Sequence, residues 1–442
     1  MIKKKIFKKK IFKKKIIFLF IVFLSSRLLT YFYFGIKSDY PLGNMHLPSL
    51  DFLYNDLLNT IKYWHFSQHL HILLFGLVIK LLKGSEFFFS MFWFLYSYSL
   101  TLGILYYVNQ ICIEHSISEK IRFFIIIFFI INPNIIFYES YSRPFYSHTL
   151  CFLFTQLIYF FLVLFKKKSF KTEILIYVNL LFLSLTWSLF HPFFLILIYI
   201  IIKILKKKLD LKILPYFILI FIVSIIPSIK NKIVFDFFMN ASNLGVNLST
   251  TLPDHKKECF INILEEQRNF FNNKQIYLHP ILIDDGVNWN SNHIGDILGS
   301  NLCFDWFFKK IVEDPSVYFK SRLNNLLSSH SKFAFEFAVG SPDKLRNILS
   351  FSYNLKLTKQ IFIFVYMFIL YFFLFYEFIF KRTTINYRKS LFLIFICYAW
   401  LLIFSCLLNG YEQERMLYTA IIVHLFFWLN IFKKFFKHSN LL

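Results

Sequence analysis

Apolar runs long enough to cross a bilayer recur along this chain and constrain its fold more than any other feature. A transmembrane helix needs about 20 consecutive apolar residues, whereas a strand of a membrane barrel needs only about 10. Lipid offers the backbone no hydrogen bonds, so runs of this length have to be helical. The sequence therefore predicts an all-α polytopic membrane protein with about ten transmembrane helices. The predicted spans are 16–36, 87–111, 121–138, 145–165, 173–189, 191–205, 211–229, 359–380, 389–408 and 412–432.

The charge of the chain is strongly positive, with a formal net charge of +24 at pH 7. A basic chain can bind nucleic acid when its lysines cover one folded surface. Here the lysines fall in short clusters between apolar runs, and hydrophobic residues make up 57% of the sequence. We interpret the clusters as signals of membrane topology and predict a membrane partner and no nucleic acid.

The apolar segment LHILLFGLVIKLL, residues 70–82, decides the predicted topology. It is shorter than a full crossing. If it does not cross, every basic cluster faces the cytoplasm together with both chain termini, as the positive-inside rule requires. If it crosses, the five later clusters face outward. We therefore predict an interfacial or re-entrant helix within a first outer loop, residues 37–86.

Three parts follow from this topology. Residues 1–229 form an N-terminal transmembrane module that includes the outer loop 37–86, and residues 359–442 form the C-terminal transmembrane helices. Between spans seven and eight, segment 230–358 has nearly balanced charge and is predicted to be a small extracytoplasmic domain. Its cysteines, Cys259 and Cys303, allow one disulfide on an oxidising side.

Charged side chains from distant parts of the sequence are predicted to share the outer face. Carboxylates there could accept the proton of a hydroxyl, and arginines could hold a phosphate leaving group through a bidentate fork. The alternative is that they are ordinary interfacial residues, solvated by water and headgroups. The candidate residues are Asp39, Asp51, Glu139, Arg143, Glu412 and Arg415.

Two further features concern polar residues near or inside the spans. Arg27 lies within the first apolar run, where an arginine needs a partner, a water-filled cavity or a snorkelling conformation. His65, His69 and His71 have spacing that could bind a metal if a carboxylate joined them, although a partly exposed interfacial cluster is the commoner outcome.

The nucleotide-binding and hydrolase motifs GxxxxGK, GxGxxG, GxSxG and HExxH are missing from the sequence. With no nucleotide fold expected on the cytoplasmic side, a soluble sugar nucleotide is a poor donor. A lipid-linked phosphate is the more natural one.

Several stretches together resemble the polytopic glycosyltransferases of the GT-C class, in the bacterial branch akin to protein O-mannosyltransferases and the aminoarabinose transferase. In the first outer loop of that branch an acidic residue follows the first span; His65, Gly76 and Lys80 match a later part of the loop, while Gln68 and His69 replace its paired prolines. The matching stretches are SDYPLG, LPSLDFLYNDLLNTIKYWHFSQHLHILLFGLVIK, INPNIIFYE, SLFHP, KNKIVFDFFMNASNLGVNL and GYEQER.

The resemblance implies an inverting transfer of a sugar from a polyprenyl-phosphate donor to a hydroxyl on a lipid, glycan or protein acceptor. Asp39 would be the general base, with Asp51 as the second choice. Glu139 would position the acceptor, the donor or, in some members, a divalent metal ion. Arg415, with Arg143 assisting, would steady the departing lipid phosphate, and Glu412 would line the same donor site. No cofactor besides that ion is implied.

The implied location is the plasma (inner) membrane of a bacterium or the endoplasmic reticulum of a eukaryote. The chief alternative function is a polytopic transporter or lipid flippase, which would also have about ten spans and intramembrane charge. Transporters often show paired halves with broken helices at the midplane, whereas the charges here crowd at one face. A catalytically inactive scaffold that presents the outer domain is the third reading.

Overall fold

The computed structural model describes residues 17–32, 42, 47–65, 68–140, 145–167, 169–207, 211–239, 241, 244–252, 280–282, 294–329, 385–408, 418–419, 421–425 and 429. The regular elements in these ranges are helical. The α-helices are α1 (Ile17–Phe32), α2 (Leu50–Asn55), α3 (Leu57–Tyr63), α4 (His69–Leu81), α5 (Glu86–Glu114), α6 (Glu119–Ile130), α7 (Pro133–Ser140), α8 (Phe145–Lys167), α9 (Phe170–Thr186), α10 (Pro192–Lys206), α11 (Leu214–Phe235), α12 (Leu244–Ser249), α13 (Ile294–Glu313), α14 (Pro315–Ser329) and α15 (Ile385–Leu408). Ser188–Phe190 and Pro280–Leu282 form short 3₁₀ turns.

The chain is a helical membrane protein. Three of the described helices, α5, α8 and α11, are long and apolar enough to cross a bilayer, and α1 and α4 are shorter apolar helices. The predicted spans 16–36, 145–165, 173–189, 191–205 and 389–408 coincide closely with α1, α8, α9, α10 and α15. Span 359–380 and most of span 412–432 lie outside the described residues. The count of ten spans stays a prediction.

The structure divides the predicted span 121–138 into two helices, α6 and α7. The break falls at Asn132, directly before Pro133. Proline lacks an N–H and disfavours helical backbone in the residue before it, so α6 ends and a new helix begins at the proline. The short helix α7 carries Glu139 in its last turn.

Two groups of ion-paired side chains lie at one end of the helix bundle. Lys166 binds Glu114 with an Nζ–Oε2 distance of 2.6 Å. Glu173 is buried and accepts from Lys203, at 2.7 Å between Nζ and Oε1, and from Lys206. We call this the basic end. It matches the clusters that the sequence analysis assigns to the cytoplasm.

The opposite end contains the turn 82–85 between α4 and α5 and the turn 187–191 between α9 and α10. We call it the hairpin end. At the first turn, Lys83 and Gly84 both have positive φ, of 53° and 71°, which reverses the chain. At the second, Pro192 occupies the first position of α10 and the imidazole of His191 accepts from Phe193 N–H.

Helix α4 folds back along the half of α5 that is nearer the hairpin end. Its His71 contacts Tyr96, and its Phe75 contacts Phe92 and Phe89, so the two helices run antiparallel from the turn 82–85. With 13 residues α4 is about 20 Å long, short of the roughly 30 Å hydrocarbon core. This arrangement supports the predicted re-entrant helix.

Helices α2 and α3 complete a helical hairpin with α4, which we call the re-entrant hairpin after the predicted topology. Lys80 lies over the ring of Tyr54, and Leu57 packs against Gly76. Lys230 of α11 donates to the carbonyl oxygen of Trp64 after the end of α3. The carbonyls at a helix C-terminus lack partners within the helix, and a lysine there satisfies one of them. The bend of the hairpin is thereby tied to α11.

The helices from segment 230–358 pack against one another through Leu248, Leu252 and Phe307. Arg322 of α14 donates to the carbonyl oxygen of Thr251 at 2.7 Å, which joins α14 to the turn after α12. Cys303 in α13 is disulfide-bonded, and Cys259 lies outside the described residues. The disulfide is consistent with an oxidising location for this segment.

Candidate functional site

The centre of the candidate site is a buried ion pair between Arg27 of α1 and Glu139 of α7. Arg27 Nε donates to Glu139 Oε1 at 2.9 Å, and Nη2 donates to Oε2 at 2.7 Å. The arginine side chain is 6% exposed and the glutamate side chain 1% exposed. This is the parallel, two-bond geometry that a guanidinium makes with a carboxylate.

The remaining guanidinium nitrogen, Nη1 of Arg27, is also satisfied. It donates to the carbonyl oxygen of Ile130 at 2.6 Å and to Ser26 Oγ at 2.9 Å. Ile130 is the last residue of α6, whose terminal carbonyls have no partner within that helix. Phe23, one turn earlier in α1, lies under the guanidinium at 4.1 Å. The arginine therefore joins α1, α6 and α7 at one point.

A chain of polar side chains extends from Glu139 towards the C-terminal segment. Thr101 Oγ1 lies 2.5 Å from Glu139 Oε2 and 2.9 Å from His148 Nε2. His148 Nδ1 lies 2.8 Å from the hydroxyl of Tyr418, whose ring stacks on Tyr138 at 4.0 Å. Five separate segments of the sequence meet in this chain, which we call the buried polar chain: Arg27, Glu139, Thr101, His148 and Tyr418.

The direction of each hydrogen bond follows from the donors that are present. The ionised carboxylate of Glu139 only accepts, so the hydroxyl of Thr101 donates to it. Thr101 then accepts from His148, which places the proton of a neutral imidazole on Nε2. His148 Nδ1 is left as an acceptor for the Tyr418 hydroxyl. The tautomer of His148 is thus assigned from its neighbours.

A second polar group adjoins the buried polar chain. His71 Nε2 lies 3.0 Å from Thr149 Oγ1, and the hydroxyl of Tyr96 lies 2.9 Å from the same oxygen. Thr149 directly follows His148 in α8, so the two groups meet at the start of that helix. The re-entrant hairpin, α5 and α8 are joined here by hydrogen bonds in an otherwise apolar core.

Two of the six predicted site residues lie within the described ranges. Glu139 is buried in the ion pair with Arg27. Asp51 is exposed in the first turn of α2, and its Oδ1 accepts from Asn55 Nδ2 at 2.6 Å. The structure does not bring these two carboxylates into one cluster. Asp39, Arg143, Glu412 and Arg415 lie outside the described residues, and their roles stay predictions.

The chain matches no family model, no curated protein and no solved structure. The resemblance to GT-C enzymes consequently depends on the quoted stretches of sequence.

A metal site has no counterpart in the part of the chain that the structure describes, where no three His, Cys, Asp or Glu side chains converge. The ring of His65 lies against Phe235, whereas His71 bonds Thr149. These two histidines thus contact different partners. The described residues do not supply the ligand set that a divalent ion requires.

Sequence reasoning singled out Arg27 and left a partner, a water-filled cavity or a snorkelling conformation open, and the structure shows a partner, Glu139. It missed Thr101, His148 and Tyr418. The available signal was weak: each is a polar residue within or beside an apolar run, and such residues usually face the interior of a helix bundle. Nothing in the local sequence says which of them meet.

Proposed function

We propose that the protein is a GT-C-like glycosyltransferase that moves a sugar from a polyprenyl-phosphate donor to a hydroxyl acceptor with inversion. About ten spans would hold the hairpin end on the extracytoplasmic face and both termini in the cytoplasm. The membrane would be the plasma membrane in a bacterium or the endoplasmic reticulum in a eukaryote. The Arg27–Glu139 pair carries the proposal, because it fixes the short helix α7 against α1, beside Thr101 in the middle of α5.

The chemistry requires a carboxylate that can reach the acceptor. Asp39 or Asp51 would take the proton of the acceptor hydroxyl, whose oxygen attacks the anomeric carbon opposite the phosphate. The bond from that carbon to the phosphate oxygen breaks, and the lipid phosphate leaves with the electron pair. Asp51 is accessible for this role because it is exposed at the start of the re-entrant hairpin.

Phosphate departure calls for cations, which Arg415 and Arg143 would supply, with Glu412 alongside. Tyr418 lies three residues after Arg415 and bonds His148 at 2.8 Å. The buried polar chain would therefore hold the segment 412–415 at a set position relative to α5 and α8. In this scheme Glu139 is a positioning residue, since Arg27 and Thr101 occupy both of its carboxylate oxygens.

A transporter or lipid flippase is the second candidate. The observation that favours it is the buried ion pair itself, because ionisable residues inside membrane helices often mark a transport path. An ion pair on such a path has to open during the cycle. Arg27 donates to Glu139 at two positions and also to Ile130 and Ser26, so opening would break several hydrogen bonds at once.

The test is incubation of purified protein in lipid nanodiscs with a panel of polyprenyl-phosphate sugars and a mixture of hydroxyl acceptors. Loss of one lipid-linked sugar, with release of polyprenyl phosphate, supports the enzyme. One of the two variants Asp39→Asn and Asp51→Asn should abolish turnover. Asp56→Asn, on the same loop, is the matched control and should retain turnover. If no lipid-linked sugar is consumed and the protein instead moves lipid or ions across the membrane of liposomes, the transporter proposal replaces the enzyme proposal.

A further inference from the structure

Gln68 combines two unfavourable features at the bend between α3 and α4. Its backbone is left-handed, with φ of 68° and ψ of 30°, a conformation that residues other than glycine adopt uncommonly. Its side chain is buried, with the residue 1% exposed, and neither Oε1 nor Nε2 has a hydrogen-bond partner among the described residues. Each feature alone costs free energy, and here they coincide.

The backbone of Gln68 is held in place by the helix that it begins. Its carbonyl oxygen accepts from the N–H groups of His71 at 3.0 Å and Ile72 at 3.2 Å. The unpaired side-chain amide therefore belongs to a fixed residue at the N-terminus of α4, a helix of 13 residues.

The surroundings of the bend are polar despite their burial. One turn along α4, His71 bonds Thr149 at 3.0 Å. On the other side of the bend, Lys230 is bound to the carbonyl of Trp64. The bend that carries the unpaired amide thus has hydrogen-bonded polar groups on both sides of it in the chain.

Stability alone does not explain glutamine at this position. A buried amide without partners costs about 1–3 kcal/mol. Left-handed backbone in a non-glycine residue adds about 1–3 kcal/mol. A leucine would remove the first cost and a glycine the second. Unsatisfied buried groups and strained backbone together are typical of binding and catalytic sites.

We propose that the Gln68 amide binds two adjacent hydroxyl groups of the sugar on the polyprenyl-phosphate donor. Each hydroxyl can donate and accept, so one donates to Oε1 while the other accepts from Nε2. A phosphate dianion only accepts and would leave Oε1 unpaired. The inference rests on the proposed function and adds the residue that recognises the glycosyl group.

The first test compares binding of a polyprenyl-phosphate hexose with binding of polyprenyl phosphate alone, in nanodiscs. Loss of two neutral hydrogen bonds in Gln68→Leu should weaken binding of the hexose lipid about 10- to 100-fold and leave binding of the bare lipid unchanged. Equal weakening of both ligands, or unchanged binding of both, overturns the proposal.

This test separates the two proposals. If the wild-type protein consumes a lipid-linked sugar but Gln68→Leu binds that donor as well as the wild type does, the role of Gln68 fails and the enzyme stands. If the wild type neither binds nor consumes any lipid-linked sugar, the enzyme fails and the role of Gln68 with it.

A second test uses a small, water-borne methanethiosulfonate reagent on Gln68→Cys. A thiol reacts only as the thiolate and therefore only where water enters. Ile72→Cys is the matched control, because Ile72 is equally buried, 1% exposed, in the first turn of α4. The proposal expects Gln68→Cys to react at least about tenfold faster than this control and to be protected by the hexose lipid. Equal rates, or no protection, overturn it.

Discussion

Arg27 and Glu139, separated by 112 positions in the sequence, form a bidentate ion pair in the core of the bundle. The pair is costly to build, since both groups lose their hydration. Its hydrogen bonds to Ser26, Ile130 and Thr101 offset part of that cost. A pair so completely bonded constrains α1, α6, α7 and α5 relative to one another.

Glu139→Gln should lower the free energy of unfolding by about 3–5 kcal/mol, because it leaves the buried guanidinium of Arg27 without a counter-charge. Reversible unfolding in a fixed detergent measures the effect. Lys166→Met, which breaks a pair whose lysine is 47% exposed, is the control and should cost about 0–1 kcal/mol. Equal effects of the two substitutions would contradict this account of the pair.

The double variant Arg27→Met with Glu139→Leu should recover much of the stability lost in Glu139→Gln. Two apolar side chains of similar volume replace two buried charges, and neither charge is left alone. The same unfolding assay provides the comparison. A double variant less stable than Glu139→Gln would show that the ion pair contributes more than the charge balance described here.

Thr101→Val should destabilise the protein by about 1–3 kcal/mol, because Glu139 loses a donor and His148 loses the hydroxyl oxygen of Thr101 as an acceptor. Thr155→Val is the matched control in α8, where the lost hydroxyl bonds Cys151 and no charged group. Nitrogen-15 NMR of the imidazole should find His148 protonated on Nε2 in the wild-type protein. A proton on Nδ1 instead would reverse the direction of the hydrogen bonds.

Gly103→Ala should weaken the packing of α5 on α8. A Cβ at this position would lie 2.4 Å from Cε2 of Phe152, and an aromatic ring cannot move aside without disturbing its neighbours. We expect a loss of about 1–3 kcal/mol in the unfolding assay. Ser99→Ala, on an exposed face of the same helix, should change stability by less than about 0.5 kcal/mol. If Gly103→Ala changes stability as little as Ser99→Ala does, the close approach of α5 and α8 at Gly103 is not essential.

The stability of the protein should depend on pH through His191, which lies in the turn between α9 and α10, directly before the first residue of α10. Burial lowers the pKa of His191 from its ordinary value of 6.5. The unfolded chain therefore binds this proton more readily, and stability falls as pH drops below about 6.5. His191→Asn keeps an acceptor for the Phe193 N–H but does not titrate.

Unfolding midpoints at about pH 7.5 and about pH 5 for the two proteins measure this contribution. The wild type should lose more stability than His191→Asn over that interval. If the difference in stability between the wild type and His191→Asn is the same at both pH values, His191 does not contribute to the pH dependence.

The sequence by itself determined the class of fold, because spanning a bilayer is a local property of composition and length. The long apolar helices α5 and α8 were predicted within three residues of their observed ends, whereas α11 continues six residues beyond its predicted end. The short length of segment 70–82 and the positions of the lysine clusters predicted that α4 does not cross, and the 13-residue α4 packs along only part of α5. Pro133 in the sequence indicated a break within 121–138, but the prediction treated this range as one helix.

Only the tertiary structure decided which polar residues meet. Arg27 was recognisable as a charge within an apolar run, for which a partner was one of three possibilities. The sequence offers many carboxylates, and the choice of Glu139 depends on how α1 packs on α6 and α7. Thr101, His148 and Tyr418 come together for the same reason. Hydrophobicity is read one segment at a time, whereas a hydrogen bond between distant segments depends on the packing of every helix between them.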